Sequence, residues 1–267
     1  MANLEAKAKQ IRNDVVDMLY AAQYGHPGGS LSCVEILLAL YENGVLNVKP
    51  EDPHWMERDR VVLSKGHACP TLYAVLADKG YFPREELANL RQYGSFLQGH
   101  PDMKKCPGVD ASTGSLGQGM SMALGFALAG QRPEHEFHVF VITGDGESQE
   151  GIIWVAGMAA AHYHLENLTV LLDHNGLQID GTNDQVLALG DIVAKYAAFG
   201  WETCEVDGHD IDAITAACKA PRTGRPRLIC CNTVKGKGVS FMEDQVGWHG
   251  KPINEEQYKA AKAELEV

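Results

Sequence analysis

At residues 137–146 the chain reads FHVFVITGDG, an apolar run that ends in an acidic residue between two glycines. A second apolar run, LTVLL at 168–172, leads into the polar segment DHNGLQIDG at 173–181. Short apolar runs bounded by turn residues are typical of buried strands in a parallel sheet. Because ligands bind outside the carboxyl ends of such strands, we expect both polar segments to face one crevice.

The two polar segments carry the side chains that a hard divalent cation prefers. Asp145 offers a carboxylate and Asn175 offers an amide oxygen. Mg²⁺ and Ca²⁺ take oxygen ligands and often share them with a diphosphate. The glycines on both sides of Asp145 allow the backbone to approach a bulky anion. The sequence therefore predicts a cation and a phosphorylated ligand in the crevice.

Strand-like and helix-like segments alternate along the rest of the chain. Strands are predicted at 60–64, 137–142, 168–172, 201–206 and 227–232. Helices are predicted at 4–23, 69–79, 84–92, 115–130, 150–163, 190–199 and 210–219, and also from about Ser32 and about Asn254. This alternation predicts an α/β fold with a doubly wound, mostly parallel sheet and helices on both faces. The sequence has no internal repeat or linker-like tract, so we expect residues 1–267 to form a single domain.

One helix start has a specific signal. Ser32 and Glu35 have the spacing of a capping box before an apolar run, which predicts an N-cap at Ser32.

The composition excludes several classes of function. The chain has 35 acidic and 23 basic residues and a formal charge of −12, which argues against nucleic acid binding because that function needs clustered Lys and Arg. No apolar run is long enough to span a bilayer, and the polar N-terminal segment does not resemble a signal peptide. The seven cysteines form no C-x-x-C pair, which favours reduced thiols in a cytoplasmic protein and argues against a zinc site. The acidic balance still allows a phosphorylated ligand, since a bound metal can dominate the local field.

Four histidines lie in glycine-containing motifs at the ends of predicted elements. They are His26 in GHPG, His67 in KGHA, His100 in GHPD and His249 in GWHG. A neutral imidazole can donate a hydrogen bond to a sugar hydroxyl, and it can move protons near neutral pH. Four such motifs in similar settings favour a polar, carbohydrate-like pocket. The histidines that lack this setting are assigned to the surface or the core: His54, His135, His138, His162 and His164.

Two further segments have more than one interpretation. The segment TGSLGQG at 113–119 resembles an anion-binding loop that opens a helix, but it lacks the Walker and dinucleotide-binding spacings. Glu147 and Glu150 precede an apolar helix, and the simplest interpretation of both is that they complement its dipole. That helix, which begins GIIWVAG at 151–157, can belong to the core or to a subunit interface.

Together these motifs resemble the transketolases, which are thiamine diphosphate enzymes. The matching motifs occur in family order: GHPG at 25–28, SKGHA at 64–68, GHPD at 99–102, TGSLGQG at 113–119, GDGESQEG at 144–151, LDHNGLQIDG at 172–181, TVKGKG at 233–238 and WHGKP at 248–252. The histidine motifs argue against deoxyxylulose-phosphate synthases and the α-subunits of oxo-acid dehydrogenases, which share only the Gly-Asp-Gly…Asn part.

The resemblance implies a metal and a cofactor. Mg²⁺, or alternatively Ca²⁺, would be bound by Asp145, Asn175 and the backbone carbonyl of Leu177. The cofactor thiamine diphosphate would be contacted by these residues and by His67, Gly114, Leu116, Gly146, Lys235 and His249. Gly114 and Leu116 would contact its aminopyrimidine end, and the others would surround its diphosphate. The fold implied is the thiamine diphosphate-binding α/β fold.

The resemblance also implies the catalytic residues. His26, His67, His100 and His249 would line the substrate channel, position the hydroxyls of a sugar or sugar phosphate, and move protons. Glu150 is similar to the acidic residue that connects paired active sites in the family. The reaction implied is the transfer of a two-carbon ketol unit from a ketose to an aldose.

Length is the main departure from the family, because transketolases are more than twice as long. Their second domain supplies a Glu and an aromatic residue for the aminopyrimidine, and groups that bind sugar phosphates. We therefore expect this chain to be the N-terminal subunit of a split transketolase with a C-terminal partner chain. Two copies of each chain around a two-fold axis would be the simplest closed assembly.

Two alternatives remain at this stage. The same chemistry can serve a specialised sugar, as in the catabolism of branched or sulfonated sugars. A non-catalytic assembly or regulatory subunit is the other alternative. The joint presence of Asp145, Asn175, Glu150 and all four histidine motifs favours an enzyme, although fold similarity alone does not establish function.

Overall fold

The computed structural model describes residues 4–132 and 134–266, and a parallel sheet organises this part of the chain. Its strands are β1 (Arg60–Leu63), β2 (Val139–Gly144), β3 (Leu168–His174), β4 (Glu202–Asp207) and β5 (Arg227–Asn232). The strands lie in the order β1-β2-β3-β5-β4, and each neighbouring pair is parallel. Residues 1–3, 133 and 267 of the predicted 1–267 domain lie outside the described residues.

Helices connect and cover these strands. They are α1 (Leu4–Ala22), α2 (Pro27–Leu31), α3 (Val34–Glu42), α4 (Cys69–Asp78), α5 (Gln118–Gly130), α6 (Gly151–His162), α7 (Asn183–Leu187), α8 (Ile192–Ala198), α9 (Ile211–Lys219) and α10 (Glu255–Glu264). Short 3₁₀ turns occur at Gly66–Ala68, Arg84–Asn89, Gly146–Gln149 and Val246–Trp248. Among the described residues, no helix combines the length and the apolar character needed to cross a bilayer.

The sheet is covered on both faces, as predicted. Successive strand residues point to opposite faces, so Val61 and Leu63 belong to one hydrophobic cluster and Val62 belongs to the other. The first cluster includes residues of α1, α3, α4 and α9, and the second includes residues of α5, α6 and α8. The predicted doubly wound α/β fold is therefore confirmed.

The strand order places a crevice between β3 and β5. After β3 the chain continues to α8 on the second face of the sheet, whereas after β5 it packs Val239 and Met242 against the first face. Chain segments that leave neighbouring parallel strands towards opposite faces create a crevice at the carboxyl edge. The segments that follow β1, β2, β3 and β5 all begin at this edge. They carry the motifs of His67, His100, His249, Asp145, Asn175 and Lys235, whereas the His26 motif lies between α1 and α2.

The predicted N-cap at Ser32 is wrong. The helix α3 starts at Val34 after Cys33, which makes no side-chain cap. The Ser32 hydroxyl instead donates to Asp173 over 2.6 Å, and Glu35 pairs with the Arg12 guanidinium over 2.7 Å. The Ser32 and Glu35 side chains therefore bind partners that are distant in the sequence, and they do not form the predicted capping box.

Other local predictions differ in detail from the structure. The helix predicted at 84–92 is a 3₁₀ turn, and α5 starts at Gln118 because Gly117 has a left-handed backbone (φ +82°). The short helix α7 was not predicted, although Thr182 and Gln185 form a capping box at its start. The last helix begins as predicted, with Asn254 as its N-cap.

The packing of α5 against the end of β1 gives a testable contrast between two glycines. A Cβ at Gly119 would lie 2.6 Å from the Cα of Ser64, whereas a Cβ at Gly125 would have no heavy atom within 4 Å. We expect Gly119→Ala to lower the free energy of unfolding by about 1–3 kcal/mol, because the backbone must shift. Gly125→Ala should raise it by about 0.4–1 kcal/mol.

Urea unfolding of the isolated chain measures both effects. Similar changes for the two substitutions would contradict the close contact of α5 with Ser64.

Candidate functional site

A cavity of about 290 Å³ opens at the carboxyl edge of the sheet. Most of the site residues predicted from the sequence line it: His26, His67, His100, Gly114, Leu116, Asp145, Gly146, Asn175, Leu177, Lys235 and His249. Glu150 does not line it. The segments that follow β1, β2, β3 and β5 meet here because these parallel strands end at the same edge. The His26 turn lies between α1 and α2, and its ring packs against the rings of His67 and His249.

Asp145 anchors one wall of the cavity. It is 2% exposed and directly follows β2. One carboxylate oxygen accepts from the Gly146 amide over 2.7 Å, and the other accepts from the Gly176 amide. Burial and the neighbouring Asp173 raise the pKa of Asp145, and the two backbone donors oppose that shift. Asp145 therefore ties the end of β2 to the loop that carries Asn175 and Leu177.

Asn175 and Leu177 continue the same wall. Asn175 Oδ1 accepts from the Leu177 amide over 3.2 Å, and its Nδ2 donates to Asp173 over 3.4 Å. The Leu177 carbonyl accepts from Lys235 Nζ over 3.2 Å. The Leu177 carbonyl therefore points at the positively charged Lys235 ammonium within the cavity. A carbonyl that binds a metal ion would point at a positive charge in the same way.

The donor set of this wall fits a hard cation. A carboxylate, an amide oxygen and a main-chain carbonyl are ligands typical of Mg²⁺ and Ca²⁺. Within the described residues, no group of three or more His, Cys, Asp and Glu is placed to hold a metal. A cation in this cavity would thus depend on the amide and main-chain oxygens of Asn175 and Leu177 as well as on Asp145.

Unpartnered polar atoms surround the cavity. Among the described residues, neither His26 Nδ1 nor Gln178 Nε2 has a hydrogen-bond partner, although both atoms are buried, and both residues line the cavity. Asn183 Oδ1 is also unpartnered, and it would lie 3.3 Å from a Cβ at Gly146. Buried polar groups are nearly always satisfied in native proteins. Their concentration here indicates a surface built for a polar ligand.

Three imidazoles form a triangle in the cavity. The ring centroids of His26, His67 and His249 are 5.1–5.5 Å apart. Burial lowers the pKa of His26 to about 4 and that of His249 to about 3, and nearby Arg91 and Lys235 add to these shifts. Burial also holds the pKa of His67 well below its usual range. At neutral pH each ring is uncharged and can donate through one nitrogen and accept through the other.

His100 and Lys235 complete the polar lining. Burial and Arg91 lower the pKa of His100, whose ring packs so close to Gly114 that a Cβ there would lie 3.0 Å away. Burial and the nearby Lys65 lower the pKa of Lys235 to about 8. The Lys235 ammonium contacts His249 Nδ1 over 2.9 Å. An anion beside Lys235 would favour its charged form.

A buried ion pair beneath the cavity was not predicted. Lys65 and Asp173 are 2% and 0% exposed, and they are joined by a salt bridge. Burial opposes the charge of both groups, but their attraction holds the pKa of Asp173 below its usual range and that of Lys65 above it. Ser32 and Thr233 also donate to Asp173, so the pair joins the end of α2 and the segments after β1 and β5 to β3.

Glu147 has a role that the sequence interpretation missed. It is 3% exposed, and its carboxylate accepts from the amides of Gly117 over 2.7 Å and Gly144 over 3.0 Å, and from the Ser64 hydroxyl. The helix-dipole interpretation of Glu147 is therefore wrong. The Gly117 amide is also satisfied within the chain, so it is not a free anion donor of the TGSLGQG loop.

Glu150 lies outside the cavity at the start of α6. It is the N-cap residue of that helix, it is exposed, and it packs near Gly117. One side of α6 is buried, whereas Val155 and Met158 on the other side are 60% and 50% exposed. The helix is therefore partly core and partly an exposed apolar surface beside Glu150.

Comparison with known proteins gives consistent matches. The family described as "Transketolase, thiamine diphosphate binding domain" matches residues 4–267. The chain is 45% identical over 266 residues to the 6-deoxy-6-sulfo-D-fructose transketolase subunit SqwG of a Clostridium species, covering 99% of this chain and 96% of that protein. It is 39% identical over 264 residues to an apulose-4-phosphate transketolase subunit of Phocaeicola vulgatus, covering 98% and 93%.

A solved structure is similar over the same region. A transketolase variant from Pichia stipitis, crystallised with fructose 6-phosphate, superposes with a TM-score of 0.92 at 34% identity. The match covers 99% of this chain but 41% of that protein. The chain thus spans about two fifths of the length of this transketolase and nearly the whole length of the two subunits.

The buried pair beneath the cavity gives a stability prediction. Lys65→Met leaves Asp173 buried without its counter-ion, and loss of one partner of a buried pair costs about 3–5 kcal/mol of unfolding free energy. The matched control is Lys259→Met, which removes an exposed pair with Glu255 and should cost no more than about 0.5 kcal/mol. Denaturant unfolding compares them, and a small effect of Lys65→Met would contradict the role of the pair.

Proposed function

Because the chain belongs to the transketolase family, we propose that it is the diphosphate-binding subunit of a two-chain transketolase. The reaction proposed is the transfer of a two-carbon ketol unit from a ketose donor to an aldose acceptor. The main support is coverage: relatives named as transketolase subunits match almost end to end, at 96% and 93% of their lengths. The rest of the active site would come from a C-terminal partner subunit that supplies the pyrimidine-binding part.

Mg²⁺, or Ca²⁺ in its place, would be held by Asp145, Asn175 and the carbonyl of Leu177. The oxygen-only donor set of this cavity wall supports the assignment. Lys235, His67, His249 and the backbone at Gly146 would contact the diphosphate, and Gly114 and Leu116 would contact the aminopyrimidine end. When bound, thiamine diphosphate supplies the carbanion stabilisation that carbon–carbon bond transfer requires.

His26, His67, His100 and His249 would act on the sugars. Their low pKa values keep the imidazoles neutral at pH 7, so each can orient a hydroxyl as donor or acceptor and can hold a proton in transit. The buried Nδ1 of His26 has no partner within the part of the chain that the structure describes, which leaves that atom available to a substrate hydroxyl. These roles are part of the proposal.

The sugar is proposed to be a specialised ketose with an anionic group. Relatives that match end to end are named for 6-deoxy-6-sulfo-D-fructose and for apulose 4-phosphate, so an anionic group, either a sulfonate or a phosphate, is the feature that these names share. An ordinary sugar phosphate is the alternative, since the chain also resembles a transketolase crystallised with fructose 6-phosphate.

The assembly proposed contains two copies of each chain, with this chain contributing one cytoplasmic diphosphate-binding domain. The exposed apolar side of α6 and the adjacent Glu150 support a contact between copies, because exposed apolar patches commonly mark interfaces. In that arrangement Glu150 would connect the two active sites.

The need for a partner is directly testable. We expect the purified chain with thiamine diphosphate and Mg²⁺ to show no ketol transfer, because the groups that activate the cofactor lie on the partner. Addition of the C-terminal subunit should restore turnover with sulfonated or phosphorylated ketose donors, measured by product chromatography. Full turnover by the chain alone would refute the two-chain proposal.

Asp145→Ala tests the metal and diphosphate site. In the two-chain complex, we expect the affinity for thiamine diphosphate with Mg²⁺ to fall by at least about tenfold, or 1.4 kcal/mol, because a charged metal ligand is lost. Asp180→Ala is the matched control, since Asp180 lines the same cavity and is exposed. Isothermal titration calorimetry compares both variants with the parent; equal affinity for Asp145→Ala would remove Asp145 from the metal site.

A further inference from the structure

Behind the segment that carries Lys235 lies a polar cluster of Arg12, Glu35 and His209. None of the three lines the cavity. Arg12 and Glu35 are 5% and 6% exposed, and the His209 side chain is 15% exposed. They come from α1, from α3 and from the turn before α9. The three residues have no part in the function proposed above.

Glu35 is the centre of this cluster. Its carboxylate accepts from two Arg12 guanidinium nitrogens over 2.7 and 2.8 Å, which is the strong bidentate arrangement. It also contacts His209 Nδ1 over 2.9 Å. Burial raises the pKa of Glu35, but His209 and Arg12 outweigh that effect and hold it below its usual range. The Glu35 carboxylate is therefore ionised, and it can accept hydrogen bonds but cannot donate them.

This charge fixes the tautomer of His209. Because Glu35 accepts, the proton lies on His209 Nδ1, and Nε2 is left as an acceptor. The Val234 amide donates to that Nε2 over 2.9 Å. The hydrogen bonds therefore run from the main chain at Val234 through His209 to Glu35.

Arg12 binds the other end of the same segment. Its Nε donates to the Lys237 carbonyl over 2.8 Å, and a Cβ at Gly238 would lie 2.7 Å from Arg12 Cδ. Val234 and Lys237 flank Lys235, whose ammonium reaches Leu177 and His249 in the cavity. Arg12 and His209 thus bind the main chain on the two sides of Lys235, and both of them contact the Glu35 carboxylate.

We propose that Glu35, acting through Arg12 and His209, is a positioning residue for Lys235. It fixes the backbone at 234–237, so that the Lys235 ammonium stays at the Leu177 carbonyl and His249. The inference deepens the proposed function, since that ammonium is the group assigned to the diphosphate. The placement of Lys235 can nevertheless be measured without cofactor or substrate.

Glu35→Gln is the direct test, because glutamine keeps the shape but has no charge and only one acceptor oxygen. Its amide NH₂ must therefore face an N–H group of Arg12 or of His209. His209→Phe is the second variant; it removes the acceptor for the Val234 amide and one donor to Glu35, and it leaves the Arg12–Glu35 pair. Asp110→Asn is the matched control. Asp110 is an 8% exposed carboxylate that pairs with Arg58 and accepts from the Val61 amide, away from residues 234–237.

The readout is the rate at which Lys235 is acetylated in the full chain at one fixed pH, followed by mass spectrometry. Lys235 is 1% exposed, and its ammonium is held by the Leu177 carbonyl and His249. We expect the acetylation rate to rise by about tenfold in both test variants, because the loss of a hydrogen bond that holds the segment lets the lysine reach water more often. Exchange of the Val234 amide should also quicken by about tenfold, as expected for one lost hydrogen bond.

A parental acetylation rate of Lys235 in His209→Phe, or an equal increase in Asp110→Asn, would overturn the proposal. If Glu35→Gln does not fold, His209→Phe decides alone. Calorimetry of thiamine diphosphate binding to the two-chain complex then separates the two claims. Changed acetylation of Lys235 together with weaker binding of thiamine diphosphate supports both the positioning role and the proposed diphosphate site. Changed acetylation with parental binding keeps the positioning role and removes Lys235 from the proposed diphosphate site.

Discussion

The cavity depends on one buried charge pair, Lys65 with Asp173. These residues are 108 positions apart, and the Asp173 carboxylate also accepts from Ser32 and Thr233. A buried ion is tolerated only when its counter-ion and hydrogen bonds are all present. The strand β3 and the segments after β1 and β5 must therefore come together as a unit, and the loops that carry the other polar groups take their positions from it.

The same burial sets the chemistry of the groups above the pair. It removes charge from the three clustered imidazoles and lowers the pKa of Lys235, while Asp145 stays tied to two backbone amides. The result is a cavity with neutral donors and acceptors on one side and an oxygen-lined wall on the other. A sugar suits the first set of groups, and a cation with a diphosphate suits the second.

Sequence reasoning found the residues that lie at strand ends, because glycine-flanked polar segments after apolar runs identify the carboxyl edge of a parallel sheet. It therefore placed Asp145 and Asn175 near each other. It missed the structural roles of Asp173, Glu147 and His209. Each of these side chains binds a partner that is distant in the sequence, and neither hydrophobic periodicity nor motif spacing can predict such a partner. The error at Ser32 has the same origin, because its hydroxyl bonds to Asp173 and does not cap α3.

The central claim is that the oxygen-lined wall binds a diphosphate through a cation. X-ray diffraction from the two-chain complex with thiamine diphosphate and Mn²⁺, measured at the manganese absorption edge, locates that cation directly. The account predicts an anomalous peak within about 2.0–2.6 Å of the Asp145 carboxylate, the Asn175 amide oxygen and the Leu177 carbonyl. A manganese peak elsewhere, with Lys235 still bonded to the Leu177 carbonyl, would contradict it.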